Sequence, residues 1–306
     1  MSASTSLAGS HGAGTGSVYS NTNGMPMSDG KNLHMDLAKG DLSNRVVTVG
    51  SAARAEIIAS FLDESPEKKR IVSSRGFTTI TGYYRGVSVS VVSIGMGPSM
   101  MDFFVRESRA VVDAPMAMVR FGTCGGLSLQ APAGSIVVSS GGSGYVSRNP
   151  DAFENFYSSS SSSSADRVSP YTFAKVAPAD EGLSELVAEE LAAAVGQKAA
   201  VLKGVNVTAD SFYSSQGRID DRGFDDSNDG IIDAITSNYP GALTMEMESF
   251  TLLHLAKCCK IPIVATAAAI VVANRIDAAV VDGDTLTLLE RDGGRAILEA
   301  IIKIKI

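Results

Sequence analysis

The stretch RVVTVGSAARAEIIASFL, residues 45–62, sets the fold class. Its first five residues are an unbroken run with β-branched valines and threonine, the pattern of a strand buried on both faces. Gly50 ends the run, Ser51 is a helix N-cap residue, and AARAEIIASFL continues with helical spacing. The same order recurs along the chain. VSVSVVSI (87–94) leads into GMGPS and a helical pattern to about Val112. MAMVRF (116–121) leads into GTCGG, read as a glycine-rich turn carrying Thr123. GSIVVSS (134–140), VLKGVNV (201–207), IPIVATAAAIVVA (261–273) and a C-terminal helix from about Leu286 complete the set. Repeated strand–glycine loop–helix units predict an α/β fold with a largely buried sheet.

The chain has 306 residues, 44% of them hydrophobic, enough for a large core. Residues 1–30 are rich in Ser, Gly and Thr and predict a disordered N-terminal extension; residues 31–306 predict one domain without a linker. A seven-serine run, Ser158–Ser164, marks a solvated loop at about 157–166, and the acidic DDRGFDDSNDG (220–230) reads as a candidate mobile flap. The net charge of −7 and the lack of a basic run exclude a nucleic-acid surface. Cys124, Cys258 and Cys259 lack metal-ligand spacing, so reduced thiols and a cytoplasmic setting are expected. No stretch has the length and flanks of a membrane span, and the N-terminus lacks signal-peptide order.

Ligands of α/β folds sit at glycine-rich strand ends. In VGSAAR, Gly50 permits close backbone approach and Arg54 lies one turn into the helix, either as an anion site or as a capped helix with a solvated arginine. Arg120 is more informative, because an arginine inside MAMVRF is costly unless a carboxylate or an anion pairs with it. Cys124 reads as a small packing residue. No G-x-G-x-x-G spacing, Walker loop or complete G-x-S-x-G motif is present.

TADSFYSSQGR (208–218) sets the Phe212 ring beside the Gln216 amide and the Arg218 guanidinium. That set suits a flat heterocycle with carbonyl and N–H edges; alternatively, it is a strand end running into a Ser-rich turn with Phe212 in the core. TMEMES (244–249) offers Glu246 and Glu248 either as acceptors for a sugar diol or as acidic residues opening a helix. VVANR places Arg275 at a strand end. Together these give a heterocycle clamp, a diol acceptor and arginines for an anion.

In LHMDLAKGDL, VGSAAR, SSRGFTT, IGMGPS, RFGTCGG, FYSSQGR, MEMES and VVANR, in this order from about His34, the chain resembles the nucleoside phosphorylase-I family. F-Y-x-x-Q-x-R is the specific element, since the purine-specific relatives lack the Gln/Arg pair. The resemblance implies a single-domain three-layer α/β/α fold with a central mixed β-sheet flanked by helices. It implies reversible phosphorolysis of uridine to uracil and ribose 1-phosphate, with inorganic phosphate as co-substrate and no cofactor. The implied phosphate site is Gly50, Arg54, Arg120 and Thr123, with Arg75 from a neighbouring subunit. The implied ribose site is Met247 and Glu248, with the neighbour's His34 near the 5′-hydroxyl. The implied base site is Phe212, Gln216 and Arg218, lined by Val272 and Ala273 and supported by Arg275. Arg120, Glu248, Arg218 and Gln216 would carry the chemistry, in sites shared across a two-fold dimer. GMGPS is one residue shorter than GMGxPS versions. Arg75–Gly76 replaces the Arg–Glu that helps form a potassium site in bacterial relatives, so no metal is expected. A purine or broad-specificity phosphorylase, a nucleosidase on the same fold and a silent nucleoside-binding protein are the alternatives.

Overall fold

The computed structural model describes residue 19 and residues 23–156, 169–219 and 222–306. Most of the N-terminal extension and the serine run lie outside the described residues. The chain enters through a short hairpin, β1 (Met27–Ser28) and β2 (Lys31–Asn32). RVVTV then forms β3 (Arg45–Val49), and Ser51 caps α1 (Ala52–Ala59) by accepting the Arg54 backbone N–H at 3.3 Å. A meander follows: β4 (Lys69–Val72), β5 (Thr78–Tyr84) and β6 (Val87–Ser93), then α2 (Pro98–Val111). Next come β7 (Met116–Gly126), β8 (Ile136–Val138), β9 (Ser143–Arg148) and a 3₁₀ segment at Pro150–Phe156. β10 (Tyr171–Ala177), α3 (Glu181–Val195), β11 (Val201–Lys203) and β12 (Val205–Ala209) lead to α4 (Ile231–Asn238). β13 (Ala242–Glu246), α5 (Ser249–Cys258), β14 (Ile263–Asn274) and α6 (Gly283–Lys303) close the order.

The strands form a 12-stranded mixed sheet in the order β10-β9-β12-β13-β7-β3-β6-β5-β4, with β8, β11 and β14 branching from it. β3 pairs parallel with β6 and β7, whereas β13 meets the end of β7 antiparallel. On one face α1, α3 and α6 cover Val47, Val119 and Phe121; on the other, α2 and α5 cover Val46, Val92 and Met118. This is the expected three-layer α/β/α arrangement. In α6, Cβ atoms on Gly293 and Gly294 would stand 2.7 Å from Phe121 and 2.5 Å from Ile58. The glycine pair therefore lets the helix lie close on β7 and α1, which offsets its poor helix propensity. Among the described residues, no helix is long and apolar enough to cross a membrane.

Several boundaries differ from expectation. GTCGG is not a turn: β7 runs to Gly126 because β14 pairs with it from Met116 to Gly126, and this tertiary pairing overrides the glycines. IPIVATAAAIVVA forms a single strand that begins at Ile263 and runs on to Asn274. VLKGVNV breaks at Gly204, where β11 joins β8 and β12 joins β9 and β13. The C-terminal helix starts earlier, at Gly283, where Asp282 accepts the Thr285 N–H at 2.8 Å.

The C-terminal ends of the parallel strands β3, β6, β7 and β14 lie along one edge of the sheet, which sets Gly50, Gly95 and Arg275 at that edge. The β4–β5 turn that carries Arg75 ends at the same edge, because Thr78 pairs with Ser93.

Candidate active site

Arg120 stands in the middle of β7, 5% exposed, on the face toward α5. Its Nε donates to Glu246 Oε2 at 3.0 Å and its Nη2 donates to Glu248 Oε2. Nη1 is buried and has no hydrogen-bond partner. The guanidinium lies over Gly122, where a Cβ would be 3.0 Å from its Cζ and Nη2, so no larger residue fits there without moving it. The arginine that the apolar run made suspicious is thus paired, with one donor in reserve for an anion.

The two carboxylates that share Arg120 differ in environment. Glu246 ends β13 and accepts from Asn206 Nδ2 at 2.8 Å, Thr208 Oγ1 at 2.6 Å and the Glu248 N–H at 2.9 Å. Burial raises its pKa, but Arg120 and the hydrogen bonds from Thr208 and Asn206 outweigh burial and hold Glu246 below the usual carboxylate range. Glu248 occupies the N-cap position of α5, and its Oε1 accepts the Gly97 N–H at 2.6 Å. There burial prevails over Arg120, helped by the neighbouring Glu246 charge, and the carboxyl is pushed up to about 7. Of the two acidic residues in TMEMES only Glu248 opens a helix, whereas Glu246 ends a strand, and both reach the same guanidinium. Glu246 is therefore held by many donors, whereas Glu248 has only the Gly97 N–H and Arg120. Met247, between them, is half-buried.

A second group forms where β14 ends against the turn after β12. Phe212 is 44% exposed, which excludes the core reading of its stretch. The Arg218 guanidinium lies over the Phe212 ring at 3.5 Å from its centroid. Arg218 Nη1 donates to Phe212 O at 2.6 Å and to Gln216 Oε1 at 2.8 Å. Burial, followed by the Arg275 charge, lowers the Arg218 pKa from its ordinary value. Arg275 donates to the backbone carbonyls of Gln216 at 2.8 Å and Gly217 at 3.0 Å. Val272 and Ala273 are half-buried beside it, at a β-bulge between Val271 and Ala273 that offsets the strand register just before Arg275. A Cβ on Gly125 of β7 would be 3.7 Å from Arg275 Cγ, so this group and the Arg120 strand meet.

Other expected residues stand apart. Gly50 lies at the end of β3, where a Cβ would sit 3.6 Å from Gly95 O. Arg54 is buried and donates through Nε and Nη2 to Glu290 Oε1 at 2.9 and 2.6 Å, so an acidic partner on α6 holds it. Thr123 lies within β7, not in a turn, three residues beyond Arg120. Arg75 is exposed in the β4–β5 turn. His34 stacks on Phe103 with centroids 4.0 Å apart, and its Nδ1 meets Glu107 Oε1 at 2.5 Å. Cys124 is buried, and burial pushes its thiol far up, which removes it as a nucleophile.

Sequence reasoning missed Gly97, Glu107 and Glu290. Glu107 had a signal: it falls on the apolar stripe of α2 with Phe104, Ser108 and Val111, where a carboxylate needs a partner. Gly97 falls in the quoted GMGPS, though its N–H bond to Glu248 could not be read there, and Glu290 had no signal, because its partner Arg54 lies far away in sequence.

The family profile described as Phosphorylase superfamily matches residues 44–300. A structure from a study of two uridine phosphorylases in the oomycete Phytophthora capsici is 42% identical. It covers 94% of this chain and 100% of that one, with a TM-score of 0.87. A Trypanosoma brucei nucleoside phosphorylase described as having uridine phosphorylase activity shares the fold at 21% identity and a TM-score of 0.74, over 91% of this chain and 99% of that one. The DeoD-type purine nucleoside phosphorylase of Caldanaerobacter subterraneus is 33% identical over 106 residues, 35% of this chain and 44% of that relative's length. That of Bacillus subtilis is 26% identical over 224 residues, 73% of this chain and 80% of that relative. With its fold, its motifs and the match across most of its length, the chain belongs to the phosphorylase superfamily and, within it, to the nucleoside phosphorylase-I family.

Proposed function

We propose that this protein is a uridine phosphorylase, which converts uridine and inorganic phosphate reversibly to uracil and ribose 1-phosphate. The observation that carries the reading is the joined set of Phe212, Gln216 and Arg218. The ring, amide and guanidinium lie together at the strand ends, with Arg275 holding the turn beneath them. The 42% identity to a structure from the study of oomycete uridine phosphorylases supports it. In this reading phosphate sits at Gly50 with Arg54, Thr123 and the free Nη1 of Arg120, and a second copy supplies Arg75 and His34. Glu248 accepts the ribose diol. Met247, Val272 and Ala273 complete the walls of the nucleoside pocket. Phosphate attacks C1′ as the glycosidic bond breaks, its charge stabilises the oxocarbenium-like sugar, and Gln216 and Arg218 stabilise the leaving uracil anion. No covalent enzyme intermediate is needed.

The similarity to DeoD-type enzymes favours a purine nucleoside phosphorylase as the second reading. Base release from uridine, cytidine, inosine and adenosine, with and without phosphate, separates the two. We expect strong preference for uridine and strict phosphate dependence; inosine turned over as well as uridine would overturn the base assignment. Release without phosphate would indicate a nucleosidase.

Site sharing has its own test. Arg75→Ala and Glu248→Ala, each nearly inactive alone, are mixed and reassociated, with hybrid formation checked by mass. About half of the dimers should be hybrids with one intact site each, so about a quarter of wild-type activity should return. Verified hybrids with no recovered activity would return Arg75 to its own subunit or remove it from the site.

A further inference from the structure

The turn that carries Gln216 and Arg218 has little regular structure of its own, and much of its backbone is held by side chains from elsewhere. Arg275 takes the carbonyls of Gln216 and Gly217 from the β14 side. From the other side, Asn228 Nδ2 donates to Ser214 O at 3.2 Å and to Arg218 O at 2.9 Å. Both Asn228 contacts are to carbonyl oxygens, so only the amide nitrogen can face the turn. One side chain thus ties together the two ends of the segment whose middle is Gln216.

Asn228 is itself anchored. It belongs to the acidic stretch that sequence alone suggested as a mobile flap, but Asp226 of that stretch is 8% exposed and ion-paired with Arg148 of β9. Tyr171 of β10 donates its hydroxyl to Asp226 O at 2.7 Å, and the Ile231 N–H at the start of α4 donates to Asn228 O at 3.1 Å. The loop is therefore built onto two strands and a helix before it reaches the turn.

From this geometry we infer that Asn228 is a positioning residue for base recognition: it sets the spacing of Gln216 and Arg218, and the Arg148–Asp226 pair fixes Asn228. The inference rests on the base-clamp reading of Phe212, Gln216 and Arg218. Gln216 and Arg218 recognise a base only if both stand where its edges fall, and a turn released at one end loses that registration. Asn228 touches no reacting atom, so its effect passes through the turn.

The test uses the full chain with Asn228→Asp, which keeps the shape but turns a donor toward two carbonyls into an acceptor, and with Asn228→Ala. Asp226→Asn is the milder second variant, which leaves Asn228 in place. Two readouts are taken. Amide hydrogen exchange over residues 213–218 needs no substrate, and it should be at least about tenfold faster in both Asn228 variants. In steady-state assays the nucleoside KM should rise about tenfold or more, the phosphate KM should stay within about twofold, and uridine-over-cytidine preference should narrow. Asp226→Asn should shift the same quantities in the same direction, but less. Unchanged exchange over 213–218 would overturn the inference whatever the substrate proves to be, and so would an equal rise of both KM values. If the wild-type protein prefers another nucleoside, the uridine assignment fails, and the inference is judged by the same exchange and KM split on the preferred nucleoside.

Discussion

Arg120→Ala is expected to lower phosphate-dependent turnover by about 10²–10³, with phosphate saturation pushed upward. The size follows from the site. The guanidinium is buried, its Nη1 is the donor without an internal partner, and charge-assisted bonds in such surroundings are strong. The same change leaves two buried carboxylates without their shared cation, a loss of roughly 3–5 kcal/mol for a broken buried pair. Part of that penalty is avoidable, because Glu248 takes up a proton readily and Glu246 keeps its donors from Asn206, Thr208 and the α5 backbone. Phosphate titrations at fixed nucleoside, with urea unfolding of the same preparation, separate the catalytic loss from the structural one. Wild-type phosphate kinetics in a folded variant would remove Arg120 from the anion site.

Glu248→Gln is expected to lower kcat/KM for uridine by about 10²–10³, because an amide replaces the carboxylate that we propose accepts the ribose diol. With 2′-deoxyuridine, which has one hydroxyl fewer to hold, the penalty should be smaller, about tenfold. The variant also has a pH signature. The Glu248 carboxyl is raised from 4.5 to about 7 by burial, so the folded protein holds a proton there that the unfolded chain releases in that range. This contribution to stability is complete below about pH 4.5 and is lost as pH rises through about 7, amounting to roughly 3–4 kcal/mol once both states are ionised. Glu248→Gln removes that dependence and should gain stability relative to wild type between pH 5 and 8. Wild-type kcat/KM for the nucleoside should climb across the same range as the diol acceptor ionises, and the variant should lack that limb. Parallel pH curves for the two proteins, in both unfolding and kinetics, would mean that Glu248 does not titrate there.

The layers of the fold were legible because each signal is local. RVVTV followed by Gly50 and Ser51 dictates strand, break and capped helix through backbone preferences that act over a few residues, and the structure follows them. Arg120 was legible as a residue that must be paired for the same reason, since a charge inside an apolar run needs a partner wherever the chain goes. The partners themselves were not. GTCGG reads as a turn until β14 pairs along it, and the choice is made by a strand more than a hundred residues away. Likewise only the tertiary structure decided that Glu246 and Glu248 divide one guanidinium, with many donors on the first and burial prevailing on the second. The acidic loop shows the limit most plainly. Its composition suggested motion, but Asp226 meets Arg148 across the fold and Asn228 closes on the turn of Gln216. Residue types determined which chemistry this chain can perform; contacts between segments remote in sequence decided which of those groups are held, which are free and where they point, because pairing and burial energies depend on neighbours that only the folded chain supplies.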